Sequence, residues 1–599
     1  MATDLYAEIV QSIATPLEAW LVAQGAEPGL KLAPPTREGA GDLAAACHRY
    51  AKALRKPPQA IAVELAGLAS TSPWVAAVEP AAGFLNLRLN WERVAERTVK
   101  WAQEDEGALG RSAALAGRKV VIEYSSPNTN KPQHLGHCRN NILGHTMATL
   151  LEAAGAEVVR VNLINDRGIH ICKSMVAYQR FGHGETPQTN GVKGDHLVGA
   201  FYVRFDQAFK AEYAESFPQG GGPDPDAWFN GDSPLGRETR DMLRAWEAGD
   251  PEVLALWRTM NGWCEQGFFE TYARMGVRFD HIDKESETWT LGRDLVTEGL
   301  ERGVFRRLDD GAVVFDLEQL GLEGQKAVLR GDGTTLYVTQ DLGTALRRFE
   351  QFAPDQLIYV VGNEQDRHFE VLFGILVALR PELQGRLFHL SYGMVELPDG
   401  KMKSRQGNVV DADDLMDELR DGALEVCQKN LPDASAEVLG ATAEAIGLAG
   451  LKFFLLRYAP ATTFVFDKER SIQPEGETGV YAQYAFARAG RVLEKVGDLP
   501  DITADWSVLA EEKPRAVLQA LLLFPGEIQA AAVEHKPNLA TKAIFEVSRS
   551  FAGFYNDAAY RVLDAAPARQ VALAHLVTAV HRTLGAGMAL LGIQPVDAM

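Results

Sequence analysis

Two short segments far apart in the chain carry side chains suited to nucleotide chemistry. The first is His134-Leu135-Gly136-His137 and the second is Gly400-Lys401-Met402-Lys403-Ser404-Arg405. Histidines three residues apart at the first turn of a helix can both donate hydrogen bonds to one phosphate, and Gly136 lets a nucleotide approach the backbone. The cations of the second segment can stabilise charge on a leaving pyrophosphate. Together the two segments predict ATP-driven formation of an acyl-adenylate.

Each segment also has a simpler interpretation. An H-x-G-H string can arise by chance in a chain of 599 residues, and paired histidines can simply cap a helix. Lysines after the turn Pro398-Asp399-Gly400 are common in exposed loops. Lys131, three residues before His134, can contact phosphate or remain solvated. The occurrence of both segments in one chain favours the chemical interpretation.

The residues around the first segment predict a strand, a loop and a helix. Lys119 to Tyr124 is an apolar run, and apolar residues at helical spacing follow Gly136 as far as Ala154. A second strand is expected from Val158 to Leu163. In such a βαβ unit, ligands bind beyond the carboxyl ends of the strands, at a helix N-terminus that favours anions. The histidines are therefore expected at a phosphate site.

The two segments resemble the HIGH and KMSKS signatures of class I aminoacyl-tRNA synthetases. The stretch from Glu123 to Asn128, followed by Lys131 and Pro132, is similar to the arginyl-tRNA synthetase form of the first signature. The resemblance to that family extends along almost the whole chain. It includes three further segments: Asp332 to Tyr337 with Asp341, Val361 to Asp366 with His368, and Tyr481 to Ala485.

One position departs from the general class pattern. Ser404 stands where KMSKS has its second lysine. Arginyl-tRNA synthetases commonly lack that lysine, and the resemblance implies that Lys131 compensates, while Lys403 and Gln406 leave the cation geometry of the loop open. The resemblance implies catalytic roles for Lys131, His134, His137 and Lys401, and ATP contacts from His134, Gly136, His137, Lys401 and Ser404.

Arginine would be recognised through its guanidinium, whose five donors are best matched by carboxylates. Glu123 ends the first strand, and Asp341 follows Leu336 to Gln340, whose alternation predicts a strand. Either carboxylate can instead be a strand-end acid or a helix cap. The resemblance implies that the arginine site contains Glu123, Asn128, Tyr337, Asp341 and Gln365, with Asn128 and Gln365 holding the α-amino and carboxylate groups.

Composition limits the remaining possibilities. An apolar content of 46% allows three to four domains. The absence of a signal-like N-terminus and of an 18-residue apolar run predicts a cytoplasmic protein without membrane contact. Five scattered cysteines predict neither zinc nor disulfides. The expected cofactor is Mg²⁺ bound with ATP as substrate, and a monomer is expected.

The net charge of −20 argues against non-specific binding to nucleic acid. The charge is nevertheless uneven, because Lys and Arg nearly balance Asp and Glu from Tyr481 to Met599. A locally positive surface for arginine tRNA is therefore compatible with the composition. The candidate contacts are Tyr481, Gln483, Tyr484 and Arg488, although tyrosines at this spacing are often core residues.

The predicted fold class is α/β, with a Rossmann-like catalytic domain between an N-terminal α+β module and a C-terminal α-helical bundle. We expect four regions: a tRNA-contacting module (1–110), a catalytic domain with insertions (111–390), a KMSKS-type loop with a helical stem-contact region (391–475) and an anticodon-binding bundle (476–599). In the first region a helix is expected around Leu43 to Ala53. Val313 to Phe315 is expected to rejoin the central sheet. A protein-docking role for the first module remains an alternative.

The sequence therefore predicts an arginine–tRNA ligase that forms arginyl-adenylate and transfers arginine to the 3′ end of its tRNA. Three alternatives stay open: another class I synthetase, a smaller nucleotidyltransferase and a non-catalytic tRNA-binding paralogue. A cysteinyl enzyme would be expected to show zinc-ligand cysteines, and the valyl, isoleucyl and leucyl enzymes would be longer. The retained Lys131, His134, His137 and Lys401 oppose an inactive paralogue.

Overall fold

Residues 4–35, 37, 39–104, 109–398 and 410–599 are described by the computed structural model. The second signature, with Lys401 and Ser404, lies outside the described residues. Predictions about the geometry of that segment therefore remain predictions.

The first region combines helices with a small antiparallel sheet. Its elements are α1 (Leu5–Ala23), β1 (Leu43–Ala46), α2 (Ala51–Leu54), α3 (Pro58–Ala69), β2 (Val75–Ala81), β3 (Phe84–Leu89) and α4 (Trp91–Glu104). The strand order is β1-β3-β2. The predicted helix around Leu43 to Ala53 is wrong in its first half, because Leu43 and Ala45 are buried with the period of two that suits pairing with β3.

The central region is built on a parallel sheet with covering helices. Its elements are β4 (Lys119–Glu123), α5 (Leu135–Ala153), β5 (Glu157–Ile164), α6 (Ile169–Phe181), α7 (Pro187–Asn190), α8 (Gly194–Ser216), α9 (Pro225–Asn230), α10 (Pro234–Glu247), α11 (Pro251–Met275), β6 (His281–Lys284), α12 (Glu285–Thr288), α13 (Arg293–Glu301), β7 (Arg306–Arg307), β8 (Val313–Asp316), β9 (Gln325–Leu329), α14 (Tyr337–Phe352), β10 (Gln356–Gly362), α15 (Asp366–Leu379), β11 (Leu387–Tyr392) and β12 (Val395–Glu396).

The sheet has the order β11-β10-β4-β5-β6, and every neighbouring pair is parallel. Parallel strands covered by helices are buried on both faces, which explains the apolar runs of β4 and β10. The carboxyl ends of β4, β5, β6 and β10 therefore share one edge of the sheet. This edge is where the predicted site residues are expected to meet.

Two strand predictions are wrong. Val313 to Phe315 belongs to a separate antiparallel sheet of order β7-β8-β9, because a short turn joins β7 to β8 and a parallel strand would need a long crossover. Leu336 to Gln340 is not a strand, since α14 begins at Tyr337. The buried residues Val338, Leu342 and Ala345 continue at helical spacing, and this longer pattern outweighs the short local alternation.

Helices dominate the rest of the chain. The elements are α16 (Ala412–Asn430), α17 (Ala436–Leu456), β13 (Phe464–Val465), α18 (Lys468–Ser471), α19 (Gly479–Val496), α20 (Glu512–Val533), α21 (Asn538–Tyr555) and α22 (Pro567–Leu590). Helix α19 packs on α22, and α20 packs on α21. Buried Arg139 ties α5 to the end of α17 by donating to the carbonyls of Leu455 and Pro460.

Two helices, α17 and α20, are long and apolar enough to cross a membrane by length and composition. Their most apolar windows are 61% and 50% buried inside the protein. Both helices contribute to the main hydrophobic core through residues such as Phe453 and Leu521. Their apolar character is accounted for by packing in this core.

Candidate active site

The two histidines of the first signature form the N-terminal cap of α5. His134 Nδ1 accepts from Gly136 N at 3.1 Å, and His137 Nδ1 accepts from His134 N at 3.2 Å. The ring centroids lie 4.0 Å apart. Because each Nδ1 accepts a backbone proton, each neutral ring carries its own proton on Nε2. The capping geometry therefore leaves two Nε2–H donors available for a ligand.

Burial also determines the protonation of these groups. It lowers the pKa of His134 to about 4 and the pKa of His137 well below its usual range, and the nearby Lys131 charge adds to both effects. Burial lowers the pKa of Lys131 as well. At neutral pH the histidines are therefore uncharged donors, and the positive charge of this segment resides on Lys131.

The loop between β4 and α5 is fixed by hydrogen bonds from its neighbours. Ser125 and Ser126 have positive φ angles of 81° and 49°, which cost non-glycine residues energy. Asn140 on α5 accepts from Ser125 N at 2.5 Å, and Asn162 on β5 accepts from Ser126 N at 3.0 Å. The exposed Asn128 pairs with Asn165 after β5. These contacts hold Asn128 at the carboxyl edge of the sheet.

Three residues predicted to bind arginine line one cavity of about 480 Å³. They are Tyr337 and Asp341 on α14 and Gln365 just before α15. Tyr337 is 76% exposed, so its ring can cover a ligand. Asp341 Oδ2 accepts from His368 Nε2 at 2.9 Å. The cavity offers a carboxylate, a phenol and an amide, and Lys326 and His368 also line it.

Glu123 has a different environment from the one expected. Its side chain is buried, and its Oε2 accepts from Arg348 Nη1. Arg348 Nη2 also donates to Asp283 Oδ2 at 3.0 Å. The residues that line the cavity do not include Glu123. The expectation that Glu123 contacts the substrate guanidinium stays a prediction, and in this structure one oxygen of its carboxylate pairs with Arg348.

A carboxylate that the sequence argument missed lies near Asp341. Glu285 begins α12 directly after β6. Burial raises the pKa of Glu285 to about 7, and the carboxylates of Asp166 and Asp341 contribute further while Arg167 opposes them. Glu285 follows a parallel strand, as Glu123 nearly does. Its position at the end of a strand is therefore the sequence feature that could have predicted it. The polar sequence of β6, however, makes that strand difficult to predict.

The four candidate tRNA contacts fall into two groups. Tyr484 and Arg488 line a cavity of about 740 Å³ with the basic and aromatic residues Arg491, Lys495, Tyr555, Tyr560 and Arg561. Arg488 lies 4.0 Å from the ring centre of Tyr484. Tyr481 instead packs against Phe545 at 5.7 Å.

Gln483 is buried, with 0% exposure. Its Nε2 donates to Ala445 O at 3.2 Å and to Gln594 O at 2.7 Å. In this structure the amide joins α19 to its neighbours inside the core, and the expected contact of Gln483 with tRNA stays a prediction.

The chain that forms this fold and this histidine-capped helix also matches the models of known protein families. The family model for tRNA synthetases class I (R), catalytic domain, matches residues 103–468. The DALR anticodon binding domain matches residues 482–599, and the arginyl tRNA synthetase N terminal domain matches residues 7–89. Together with the parallel sheet, these matches define a class I aminoacyl-tRNA synthetase.

Individual relatives give the narrower assignment. An arginine–tRNA ligase of Bacteroides thetaiotaomicron is 41% identical over 98% of each chain, and one of Treponema pallidum is 40% identical over 94% of each chain. The arginyl-tRNA synthetase of Thermus thermophilus superposes with a TM-score of 0.80 at 25% identity, covering 98% of this chain and 100% of its own. The chain therefore belongs to the arginyl-tRNA synthetase family. The family resemblance and the fold class expected from the sequence are confirmed.

Proposed function

We propose that this site activates L-arginine with ATP and transfers the arginyl group to arginine tRNA, the reaction named for its relatives. The observation that carries the proposal is the meeting of Tyr337, Asp341 and Gln365 in one cavity. The histidine-capped start of α5 belongs to the same parallel-sheet domain. A cavity that offers a carboxylate and a helix start that offers two Nε2–H donors, both in one domain, support this reaction.

The chemistry proceeds in two displacements. The carboxylate of arginine attacks the α-phosphorus of ATP, which gives arginyl-adenylate and releases pyrophosphate. A hydroxyl at the 3′ end of the tRNA then attacks the acyl carbon, and AMP leaves. Neither displacement needs a protein nucleophile, so the protein acts by positioning its substrates and stabilising charge.

Each part of the first signature has a defined task. The Nε2–H groups of His134 and His137 donate to the triphosphate, Gly136 allows close approach, and Lys131 stabilises negative charge as pyrophosphate forms. Mg²⁺ enters as the ATP complex and is held by phosphate oxygens more than by a protein cage. The roles of Lys401 and Ser404 in ATP binding remain predictions from the sequence.

The substrate side chain is recognised by carboxylates at the carboxyl edge of the sheet. Asp341, Glu123 and Glu285 are the proposed acceptors for the guanidinium, and Tyr337 is proposed to cover it. Asn128 and Gln365 are proposed to hold the α-amino and carboxylate groups. Both of these amides belong to exposed residues beyond strand ends, which supports this assignment.

Asp341→Asn should raise the KM for arginine about 10- to 100-fold, because a hydrogen bond to a charged group contributes about 1.5–3 kcal/mol. The turnover number of ATP–pyrophosphate exchange should change much less. The control is Asp316→Asn, which alters an exposed carboxylate paired with Arg306 at 3.0 Å. An unchanged KM in Asp341→Asn would remove Asp341 from the pocket.

Arginine binding should also strengthen as the pH rises from 6 to 8. The pKa of Glu285 is about 7, so its carboxyl is neutral below that pH and attracts the guanidinium only when ionised. A single proton linked to binding predicts a decrease in KM of up to about tenfold across this range. Glu285→Gln should flatten this dependence in exchange assays. A dependence that persists in the variant would assign the titration to another group.

The C-terminal bundle and the first region provide the proposed tRNA contacts. Tyr484 and Arg488 are proposed to stack on anticodon bases, which the cluster of cations and aromatic rings in their cavity supports. The first region (1–110) is proposed to contact the outer corner of the tRNA, and residues 391–475 its stem. We further propose that the enzyme is a cytoplasmic monomer. Activation is proposed to require bound tRNA, as is common in the family.

Aminoacylation of arginine tRNA by the purified chain tests the proposal directly. Arginine should be attached, and two analogues should be rejected. Citrulline keeps the shape but lacks the charge, and lysine keeps the charge but lacks the planar fork of donors. Charging of tRNA with citrulline at a rate similar to arginine would contradict recognition by Asp341 and Glu285.

A further inference from the structure

A group of charged residues joins two helix starts close to the first signature. We call Lys193, Asp195, His196, Asp411 and Asp413 the clamp cluster. The first three stand at the start of α8, and the last two stand at the start of α16. Each helix start is thereby tied to the other by side chains of opposite charge.

The contacts within the clamp cluster are ion pairs. Lys193 Nζ contacts the Asp413 carboxylate and lies 3.4 Å from Asp195 Oδ2. His196 Nε2 lies 3.3 Å from Asp413 Oδ2 and 3.6 Å from Asp411 Oδ2. The side chains of the central pair are mostly shielded from solvent, with 17% exposure for Lys193 and 20% for Asp413. Partial burial makes such a pair stronger than one on the surface.

The clamp cluster could also be considered as a metal site, because ligand atoms of Asp195, His196 and Asp413 lie within 4.8 Å of one another. The ammonium of Lys193 contacts both of these carboxylates, however. Lys193 also donates to Thr271 Oγ1 on α11 at 2.5 Å. A cation of the protein thus already neutralises the carboxylates, which favours a structural ion pair over a metal site.

The α16 side of the clamp cluster is joined by its backbone to the first signature. Leu135 N donates to Val410 O at 3.2 Å, and Ala412 N donates to Gln133 O at 3.0 Å. These two bonds place Asp411 opposite His134 in an antiparallel bridge. Any movement of Asp413 and its helix start is therefore transmitted to the backbone of His134.

The α8 side of the clamp cluster is packed against Lys131. A Cβ at Gly199 would lie 2.6 Å from Pro132 Cδ and 3.4 Å from Lys131 Cα, so α8 approaches this loop as closely as glycine allows. Asp195 is fixed in a similar way, because a Cβ at Gly267 of α11 would lie 2.2 Å from its Oδ1. Helix α8 therefore sets the position of the Lys131 backbone.

We propose that the clamp cluster fixes the positions of Lys131 and His134 relative to each other for adenylate formation. Lys193 and Asp413 are its positioning residues, since they connect the helix packed on Lys131 with the segment paired to His134. The inference rests on the proposed roles of Lys131 and His134. Loss of the Lys193–Asp413 pair should let these two groups shift relative to one another, while the arginine cavity, which lies between α14 and α15, keeps its form.

The test uses the full chain with ATP, arginine and arginine tRNA. Lys193→Met and Asp413→Asn should each lower the kcat of ATP–pyrophosphate exchange about tenfold or more, and the KM for arginine should stay within about twofold. The double variant should be no slower than the worse single variant, because both changes break one connection. Lys193→Arg should recover most of the rate. The matched control is Lys210→Met, which removes an exposed lysine of α8 paired with Asp206.

A second variant separates positioning from folding. Gly199→Ala keeps every charge and suits a helix, but its methyl group would press on Pro132. It should lower kcat with an unchanged KM for arginine, and the chain should remain folded at the temperature of the assay. The inference is overturned if Lys193→Met and Gly199→Ala exchange at the wild-type rate. It is also overturned if kcat, KM and melting temperature all deteriorate together, or if Zn²⁺ binds the wild type and accelerates exchange. Absence of exchange in the wild type would instead contradict the proposed function.

Discussion

Replacing Lys131 with alanine should lower the kcat of ATP–pyrophosphate exchange by about 100- to 1000-fold, the usual cost of removing one preorganised group that stabilises transition-state charge. Lys131 is the cation that stands beside the two neutral histidines, whose pKa values it helps to lower. The KM for arginine and the affinity for tRNA should change little, because the arginine cavity is lined by other residues. Steady-state exchange with tRNA present measures both parameters.

The matched control for this experiment is Lys119→Ala. Lys119 stands at the opposite end of β4 and forms a surface pair with Glu157 at 2.9 Å. Its loss should leave exchange unaffected. A decrease of less than about threefold in Lys131→Ala would contradict the idea that Lys131 replaces the cation missing at Ser404.

Replacing Arg348 with methionine should destabilise the central domain by about 3–5 kcal/mol, because the change leaves buried Glu123 without its cation and Asp283 with Arg347 and His281 as its remaining partners. Arg348 is 1% exposed and joins Glu123 to Asp283 beneath the carboxyl edge of the sheet. The shift of the first unfolding transition in urea, followed by intrinsic fluorescence, measures this loss. Arg306→Met is the control, since Arg306 is exposed and pairs with Asp316 at the surface.

A compensating variant distinguishes the buried pair from simple loss of packing. Adding Glu123→Gln to Arg348→Met removes the unpaired charge of Glu123 and should restore part of the stability. If Arg348→Met is as stable as Arg306→Met, the internal pairing of Glu123 is wrong.

The phosphate-site unit could be predicted because its signals are local. The apolar run of β4, the periodicity of α5 and the second strand β5 lie within about 50 consecutive residues, and each follows a simple period. The prediction that the histidines stand at the start of a helix that follows a strand is therefore confirmed. The capping bonds through Nδ1, and with them the neutral state of both rings, depend on three-dimensional detail that the spacing does not contain.

The features that the sequence does not predict have a common physical origin in contacts between residues far apart in the chain. The short alternation from Leu336 to Gln340 predicts a strand, but residues further along require a helix. Glu123 was assigned by its place at a strand end, and the arginine that occupies it comes from a position 225 residues later. Gln483 is polar, yet its partners are carbonyls of α17 and of the segment after α22. Long-range partners of this kind leave no mark in a single sequence.

The cavity lined by Tyr337, Asp341 and Gln365 could be predicted in part. Tyr337, Asp341 and Gln365 were proposed on family resemblance, and the fold brings them together. Glu285 comes near Asp341 only through the order of the sheet, because β6 pairs with β5 after an insertion of six helices. The proposed role of Glu285 in substrate binding could not be predicted, because nothing in its local sequence indicates a pocket.

The most direct test is pyrophosphate exchange into ATP with each of the twenty amino acids, with and without total tRNA. The account predicts exchange with arginine alone, and dependence of that exchange on tRNA. Exchange with another amino acid would contradict the assignment of the cavity to a guanidinium. Exchange with none of them would contradict the proposed activation chemistry and favour a non-catalytic tRNA-binding role.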